Sequence, residues 1–219
     1  FARIDQYEKS RSHADIRDLY WRFTFRNWEF NTGIKTLTWG KTESNHLVDI
    51  INQYDLLEER SLEDKLGQPL IQWVYSPKWI TLELVGTTYL RELEFPGIQG
   101  RLQPGFTIGN AQFEKEQGKY LPDVAIRISK NWAKIDIAIS HFHGTNRLPV
   151  FKYENNVFAP FYKEINQTGL EVQALTGPII WKGEFVNVTD KIENIQAFTI
   201  GSEFSQMLSN GQELKWILE

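Results

Sequence analysis

The stretch Ala133-Lys134-Ile135-Asp136-Ile137-Ala138-Ile139-Ser140 alternates between apolar and polar side chains along most of its length. Its three isoleucines fall on one face of an extended chain, whereas in a helix they would be spread around the axis. The stretch therefore predicts a β-strand with one apolar face and one polar face.

The same alternation recurs along the chain. It is clear at 18–25, 124–129 and 179–185, and weaker at 28–39, 68–75, 79–88, 165–176, 195–204 and 213–218. These segments make about ten strands, most of them roughly 8 to 12 residues long by their period-two pattern. Globular strands usually have about 5–6 residues, whereas strands that span a membrane need ~9–11. The sequence predicts an all-β fold, an antiparallel meander of about ten strands, with strand lengths that favour a membrane.

Composition narrows the function classes. The net charge of −4 shows no basic surplus, so we expect no nucleic-acid partner. Cysteine is absent, which excludes disulfides and cysteine nucleophiles. Aromatic residues make up 14% of the chain although the mean hydropathy is −0.41, a combination that half-buried strands produce more readily than helices.

The connections between the predicted strands alternate in length. Short ones carry turn residues at 26–27, 76–78, 130–131, 177–178 and 209–211. Long ones lie at about 41–67, 88–121 and 143–164, and only the return at 188–194 breaks the alternation. Short turns on one rim and long loops on the other are typical of a transmembrane β-barrel of the bacterial outer membrane. We expect residues 1–219 to form a single domain that is part of such a barrel. The 88–121 loop is long enough to fold inward as a constriction.

Tryptophans lie beside four of the short turns: Trp28, Trp79, Trp132 and Trp181. Indole rings are enriched at the boundary between lipid and water, so these residues predict an aromatic girdle at one rim. Alternatively, they close one end of a soluble β-sandwich.

Charged side chains lie opposite the apolar faces of the predicted strands. An Arg or Lys facing lipid near the middle of a bilayer costs about 2–4 kcal/mol, so these residues should line a lumen. The predicted solute pathway consists of Arg22, Lys35, Arg127, Lys134, Asp136, Lys182 and Glu184. The five cations face seven carboxylates in the predicted strands, so the two signs are close to balance, which suits neutral or zwitterionic hydrophilic solutes. These carboxylates are Asp18, Glu29, Glu83, Asp136, Glu171, Glu184 and Glu203.

The first long loop carries the most distinctive motif. Residues 33–40 end in Trp39-Gly40, and the pattern Asp49-x-x-Asn52-x-x-Asp55-Leu follows. This text resembles an uncharacterised family of porin-like Gram-negative outer-membrane barrels related to the alginate-export and substrate-specific porins. That family reads Gly-Arg-Gln-x-x-x-Trp-Gly and then Asp-x-x-Asn-Pro-x-Asp-Leu. This chain has Ile34 and Lys35 where the family has its arginine and glutamine, and Gln53 where it has proline. The resemblance implies an outer-membrane location, contact with membrane lipid, passage of small hydrophilic solutes, and a chain that is an internal piece of a larger barrel.

Two groups of side chains could bind a cation or metal ion. Asp49, Asn52 and Asp55 can fix the loop through Asx-type hydrogen bonds, line a constriction, or hold a cation through oxygen ligands. Their spacing departs from calcium-binding loops, which favours the structural role. His141 and His143 share a strand face, but no third ligand is near, so we expect neither a metal nor a cofactor.

Two further functions stay open beside a channel: a soluble carbohydrate-binding β-sandwich and an outer-membrane barrel enzyme. The chain has no Gly-x-Ser-x-Gly or His-Glu-x-x-His motif and no glycine-rich phosphate loop. We therefore expect a channel and no enzyme.

Overall fold

The computed structural model describes residues 2–3, 6, 13–57, 64–95, 105–154, 156–208 and 210–219. It is all-β, with a single short 3₁₀ turn at Gly118–Tyr120 in the described part of the chain. Over these residues, no helix is long and apolar enough to cross a membrane. The strands are β1 (Ala2–Arg3), β2 (His13–Ala14), β3 (Leu19–Phe25), β4 (Trp28–Lys35), β5 (Gln68–Tyr75), β6 (Thr81–Thr87), β7 (Gln112–Phe113), β8 (Asp123–Trp132), β9 (Ile135–Thr145), β10 (Val150–Glu154), β11 (Val157–Tyr162), β12 (Glu164–Thr176), β13 (Ile179–Thr189), β14 (Asn194–Met207) and β15 (Glu213–Leu218).

Ten of these strands form one sheet in the order β3-β4-β5-β6-β8-β9-β12-β13-β14-β15. Every pair in it is antiparallel. The predicted meander of about ten strands is therefore confirmed. The sheet is not closed as a barrel, because β3 and β15 do not pair with each other.

The turn between β8 and β9 lies two to three residues later than the sequence predicts. Lys130 and Asn131 belong to β8, and the ladder continues to the pair Trp132–Ile135. The polar pair looks like a turn in the sequence, but Asn131 donates a hydrogen bond across the ladder to Asp136 and extends it. The chain reverses at 133–134, so Lys134 is exposed in the turn and does not lie on a strand, contrary to the prediction for this residue.

The long connections are structured. The first long connection starts earlier than predicted, because β4 ends at Lys35. The described residues of this connection are 36–57 and 64–67. The third long connection, predicted as a loop over 143–164, consists mostly of the hairpin of β10 and β11. Strand β7, which belongs to the second long connection, pairs in parallel with β11. The described residues of the predicted constriction loop, 88–95 and 105–121, contribute Leu90 and Leu93 to a small apolar cluster around Tyr162 of β11.

The two faces of the ten-stranded sheet differ in polarity. We call the face that carries Ile135 and Ile139 the outer face, and the face that carries Arg127 and Glu184 the inner face. Large apolar side chains are exposed on the outer face: Leu19, Trp21, Phe23, Phe25, Ile71, Trp73, Leu84, Val124, Ile128, Ile135, Ile139, Leu170, Trp181, Phe185, Phe198 and Trp216. Among the described residues of the ten strands, alternation places only two charged side chains on this face, Lys130 and Glu164, each near a strand end. With the exception of Lys134, the predicted division of residues between the two faces is confirmed.

A charged side chain, that of Arg147, is completely buried in the interior of the molecule. Arg147 follows β9 and is 0% exposed. Its guanidinium lies 2.9 Å from the Asp123 carboxylate and donates to the carbonyl oxygens of Ile51 and Thr145 at 3.0 and 2.6 Å. These contacts join β8, the end of β9 and the first long connection at one point.

Replacing Arg147 with methionine should lower the free energy of unfolding by about 3–5 kcal/mol, because the variant leaves the buried Asp123 carboxylate without its cation. Denaturant titration of the refolded protein measures the change. The double variant Arg147→Met/Asp123→Asn removes that uncompensated charge and should regain part of the loss. A single variant as stable as the parent protein would show that this pair does not hold the connection in place.

Candidate functional site

Residues 36–57, which we call the inner segment, lie across the inner face of the sheet. Its apolar side chains Leu37, Trp39, Val48, Ile50 and Ile51 form one buried cluster with side chains of six strands, namely Leu70, Val85, Ala125, Phe142, Ile165 and Val186. The predicted strand over 28–39 is correct only as far as Lys35, since Trp39 and Gly40 belong to the inner segment. In the described part of the chain this segment, and not residues 88–95 or 105–121, packs in the cluster on the inner face.

The polar residues of the loop motif shape the inner segment. The Asn52 side chain accepts from the Leu37 amide at 2.9 Å and donates to the carbonyl oxygens of Lys35 and Leu66 at 3.0 and 2.8 Å. The Asp55 carboxylate accepts from the Leu57 amide at 3.2 Å, an Asx-type contact. Both side chains therefore hold the loop through hydrogen bonds to its backbone.

Asp49 forms a buried ion pair with Lys65, with 2.9 Å between the carboxylate and the ammonium. Burial raises the pKa of the Asp49 carboxyl and lowers the pKa of the Lys65 ammonium, because both charged forms lose hydration. The pair ties the middle of the inner segment to the chain just before β5. No group of three or more His, Asp or Glu side chains in the described part of the chain is placed to hold a metal ion.

Two carboxylates stand side by side where the inner segment crosses β12 and β13. Glu171 and Glu184 are direct cross-strand partners on the inner face. Like charges in that position are destabilising, so the pair needs compensation from its surroundings. Both side chains are buried, at 0% and 3% exposure, which makes this need greater.

The inner segment supplies most of the compensation. The Glu184 carboxylate accepts backbone amides of Lys41, Thr42 and Val48 at 2.6, 2.9 and 3.2 Å, and the Thr42 hydroxyl at 2.7 Å. Such bonds to an ionised acceptor are stronger than neutral ones. Glu184 therefore anchors the inner segment to β13 of the sheet.

The charge of Glu171 is compensated mainly by a strand side chain, that of Arg127. The Arg127 guanidinium donates to the Glu171 carboxylate twice, from Nε and Nη2, each at 2.8 Å. The Gly40 amide adds a third contact at 3.2 Å. The two neighbouring carboxylates are thus satisfied by one strand side chain and by the backbone of the segment.

Two glycines allow this close approach. A Cβ on Gly40, which has a φ of 113°, would lie 2.7 Å from the Glu184 carboxylate. A Cβ on Gly169 of β12 would lie 2.8 Å from the Val48 side chain. Larger residues at either position would push the segment away from the sheet.

The segment makes further polar contacts along its path. The Trp39 indole donates to Glu83 of β6 at 2.8 Å. Lys182 of β13 donates to Glu43 of the segment and, at 2.8 Å, to Glu203 of β14. The segment is therefore held from β6 to β13 by groups of both signs.

The predicted pathway residues fall into three groups. Arg127, Asp136, Lys182 and Glu184 lie on the inner face beneath or beside the inner segment. Lys35 and Arg22 lie on the same face nearer its β3 edge, where Lys35 donates to Gln72 at 2.7 Å and Arg22 donates to Asn31 at 3.0 Å. Lys134 stands apart in the β8–β9 turn.

The four predicted interface tryptophans lie at the short-turn end of the sheet and are exposed. Trp28 begins β4, Trp132 ends β8, Trp181 is the third residue of β13, and Trp79 lies in the β5–β6 turn. The register aligns Trp132 and Trp181 on one row of the outer face, with Ile135 and Ala174 between them.

Toward the long-loop end, the outer face changes to polar groups, among them the Glu164 carboxylate, which lies 3.3 Å from the His143 ring. The His141 ring bonds the Thr168 hydroxyl and the His143 ring bonds the Asn166 amide, each at 2.9 Å. The two histidines therefore have partners on the neighbouring strand β12, at the polar margin of the outer face.

Sequence reasoning missed Arg147 and the pairing of Glu171 with Glu184. A signal for the pairing is present, because both glutamates are equally distant from the Gly177-Pro178 turn, which places them opposite each other in a hairpin. No comparable local signal marks Arg147, whose partners come from distant parts of the chain.

Comparison of the chain with protein-family models, with curated proteins and with solved structures gives no match in any of the three.

Proposed function

We propose that this chain forms part of the wall of a bacterial outer-membrane β-barrel, through which small hydrophilic solutes diffuse. The observation that carries the proposal is the reversal of polarity between the two faces of the sheet. Large apolar side chains are exposed outside, such as Trp21 at 62% and Phe198 at 74%, while ionic side chains such as Glu171 and Glu184 are buried inside. A sheet in water would favour the opposite arrangement, whereas a barrel in lipid requires this one.

Lipid contact is supported by the small number of charges on the outer face. Lys130 lies near the end of β8, and its ammonium lies 4.9 Å from the centre of the Trp132 ring. A long lysine side chain at a membrane boundary can extend its charge to water while its stem stays in apolar surroundings. Together with the exposed tryptophans of this rim, it matches an aromatic girdle.

A solute pathway is supported by the mixed charges of the inner face and by the inner segment. Cations and carboxylates alternate along neighbouring strands and form ion pairs, as in Arg127–Glu171 and Lys182–Glu203. A lining of this kind exchanges hydrogen bonds with hydrophilic solutes without strongly favouring one sign. The inner segment lies across this face and would narrow the pathway.

A carbohydrate-binding β-sandwich is less consistent with this geometry. A sandwich buries the apolar face of one sheet against a second sheet. Here the apolar outer face has no second sheet against it in the described part of the chain, since the three-stranded sheet of β10, β11 and β7 is built from the long connections.

The experiment that tests the proposal is fractionation followed by conductance. The full-length protein should partition with outer membranes, require detergent for extraction, and give stepwise currents in planar bilayers. Reversal potentials in a salt gradient should show a cation-to-anion permeability ratio close to unity. Recovery in the aqueous fraction without detergent, or purified protein that inserts without any conductance, would refute the proposal.

A further inference from the structure

A cavity of about 330 Å³ opens between the inner segment and the short-turn end of the sheet. On the inner face it is lined by Thr81 of β6, Arg127, Ser129 and Asn131 of β8, and Asp136 of β9, with Lys41 of the inner segment at its side. A cavity of this size is in the range that small organic ligands occupy.

The lining of this cavity is positively charged. Lys41, Arg127 and Lys78 contribute cations, and Asp136 is the only carboxylate among the described lining residues. Asp136 is 3.8 Å from the Lys41 ammonium. Glu171 engages Nε and Nη2 of Arg127, which leaves Nη1 as a donor for a ligand. The local excess of positive charge favours an anion over a neutral solute.

The remaining polar groups suit a ligand with hydroxyl groups. Ser129 and Thr81 carry hydroxyls that donate and accept, and Asn131 carries an amide with both functions. A carboxylate near Arg127 and Lys41 would place the rest of a small molecule against these groups.

We propose that this cavity is a binding site for a small hydroxylated carboxylate, which Arg127 and Lys41 hold through its carboxylate. The inference rests on the proposed function and names the class of solute that binds transiently in the pathway. It concerns a local site, so the bulk permeability ratio can stay near unity while one class of solute is retained.

Calorimetric titration of the detergent-solubilised full-length protein tests the site, with gluconate as the probe and glucose as its uncharged counterpart. Gluconate should bind at least about tenfold more tightly than glucose, because charge-assisted hydrogen bonds to the carboxylate are lost with glucose. Lys41→Gln should weaken gluconate binding by about five- to tenfold. This variant keeps the hydrogen bond that anchors the inner segment, since the backbone amide of Lys41, not its side chain, contacts Glu184.

Two further variants make the test specific. Lys41→Arg should restore most of the affinity for gluconate. Lys191→Gln removes the same charge in the β13–β14 turn, where Lys191 pairs with Glu114 at 2.7 Å, and should leave binding unchanged. Equal affinity for gluconate and glucose, or an unchanged affinity in Lys41→Gln, would overturn the assignment. Conductance without gluconate binding would refute this site alone, whereas binding without any conductance would refute the channel and leave the site standing.

Discussion

Replacing Ile139 with lysine is expected to destabilise the membrane-embedded protein by about 2–4 kcal/mol. Ile139 lies in the middle of β9 on the outer face, with a 55% exposed side chain. Its cross-strand neighbours are Ile128 and Leu170, so a lysine there would have only apolar partners beside it. The cost arises because the ammonium would have to remain in hydrocarbon or distort the bilayer to reach water.

Denaturant unfolding in lipid vesicles measures this change, and Ile192→Lys is the matched control. Ile192 is 84% exposed in the β13–β14 turn, where we expect a change within about ±0.5 kcal/mol. If the outer face met water instead of lipid, the two variants would behave alike, since a lysine on a wet surface costs almost nothing. Equal stability of both variants in vesicles would therefore contradict lipid contact at β9.

The strands were predictable because their signal is local. In 133–140 the alternation fixes which residues share a face, and this division holds although the strand begins two residues later than predicted. The position of the turn was harder to predict, since Lys130 and Asn131 are typical turn residues. Their pairing in β8 depends on the partner strand, and Asp136 supplies the contact that extends the ladder.

The inner segment was not predictable in the same way. Beyond residue 39 the segment shows no helix or strand period, and the contacts that hold it join positions far apart in sequence, such as Thr42 with Glu184 and Ile51 with Arg147. The length of the 88–121 loop favoured that loop as the constriction. Length alone does not supply the backbone donors that the buried carboxylates need, and the first loop supplies them at Gly40, Lys41, Thr42 and Val48.

Replacing Glu184 with alanine should release the inner segment and raise single-channel conductance roughly twofold or more, because the segment would no longer narrow the pathway. The change removes the acceptor of three backbone amides and one hydroxyl. Leaving such donors unpaired in a buried position costs about 1–3 kcal/mol each, which weakens the attachment of residues 41–48 to the sheet. Planar-bilayer recordings of the full-length protein measure the effect.

Two variants separate release of the segment from a simple change of charge. Glu203→Ala removes an inner-face carboxylate whose partners Lys182 and Lys215 lie on strands, and it should leave the step size near that of the parent protein. Gly169→Val keeps every charge but places a side chain where Val48 packs, and should raise conductance as Glu184→Ala does. If only the charge mattered, the two glutamate variants would agree and the glycine variant would have no effect. Unchanged step sizes in both Glu184→Ala and Gly169→Val would show that the inner segment does not limit the pathway.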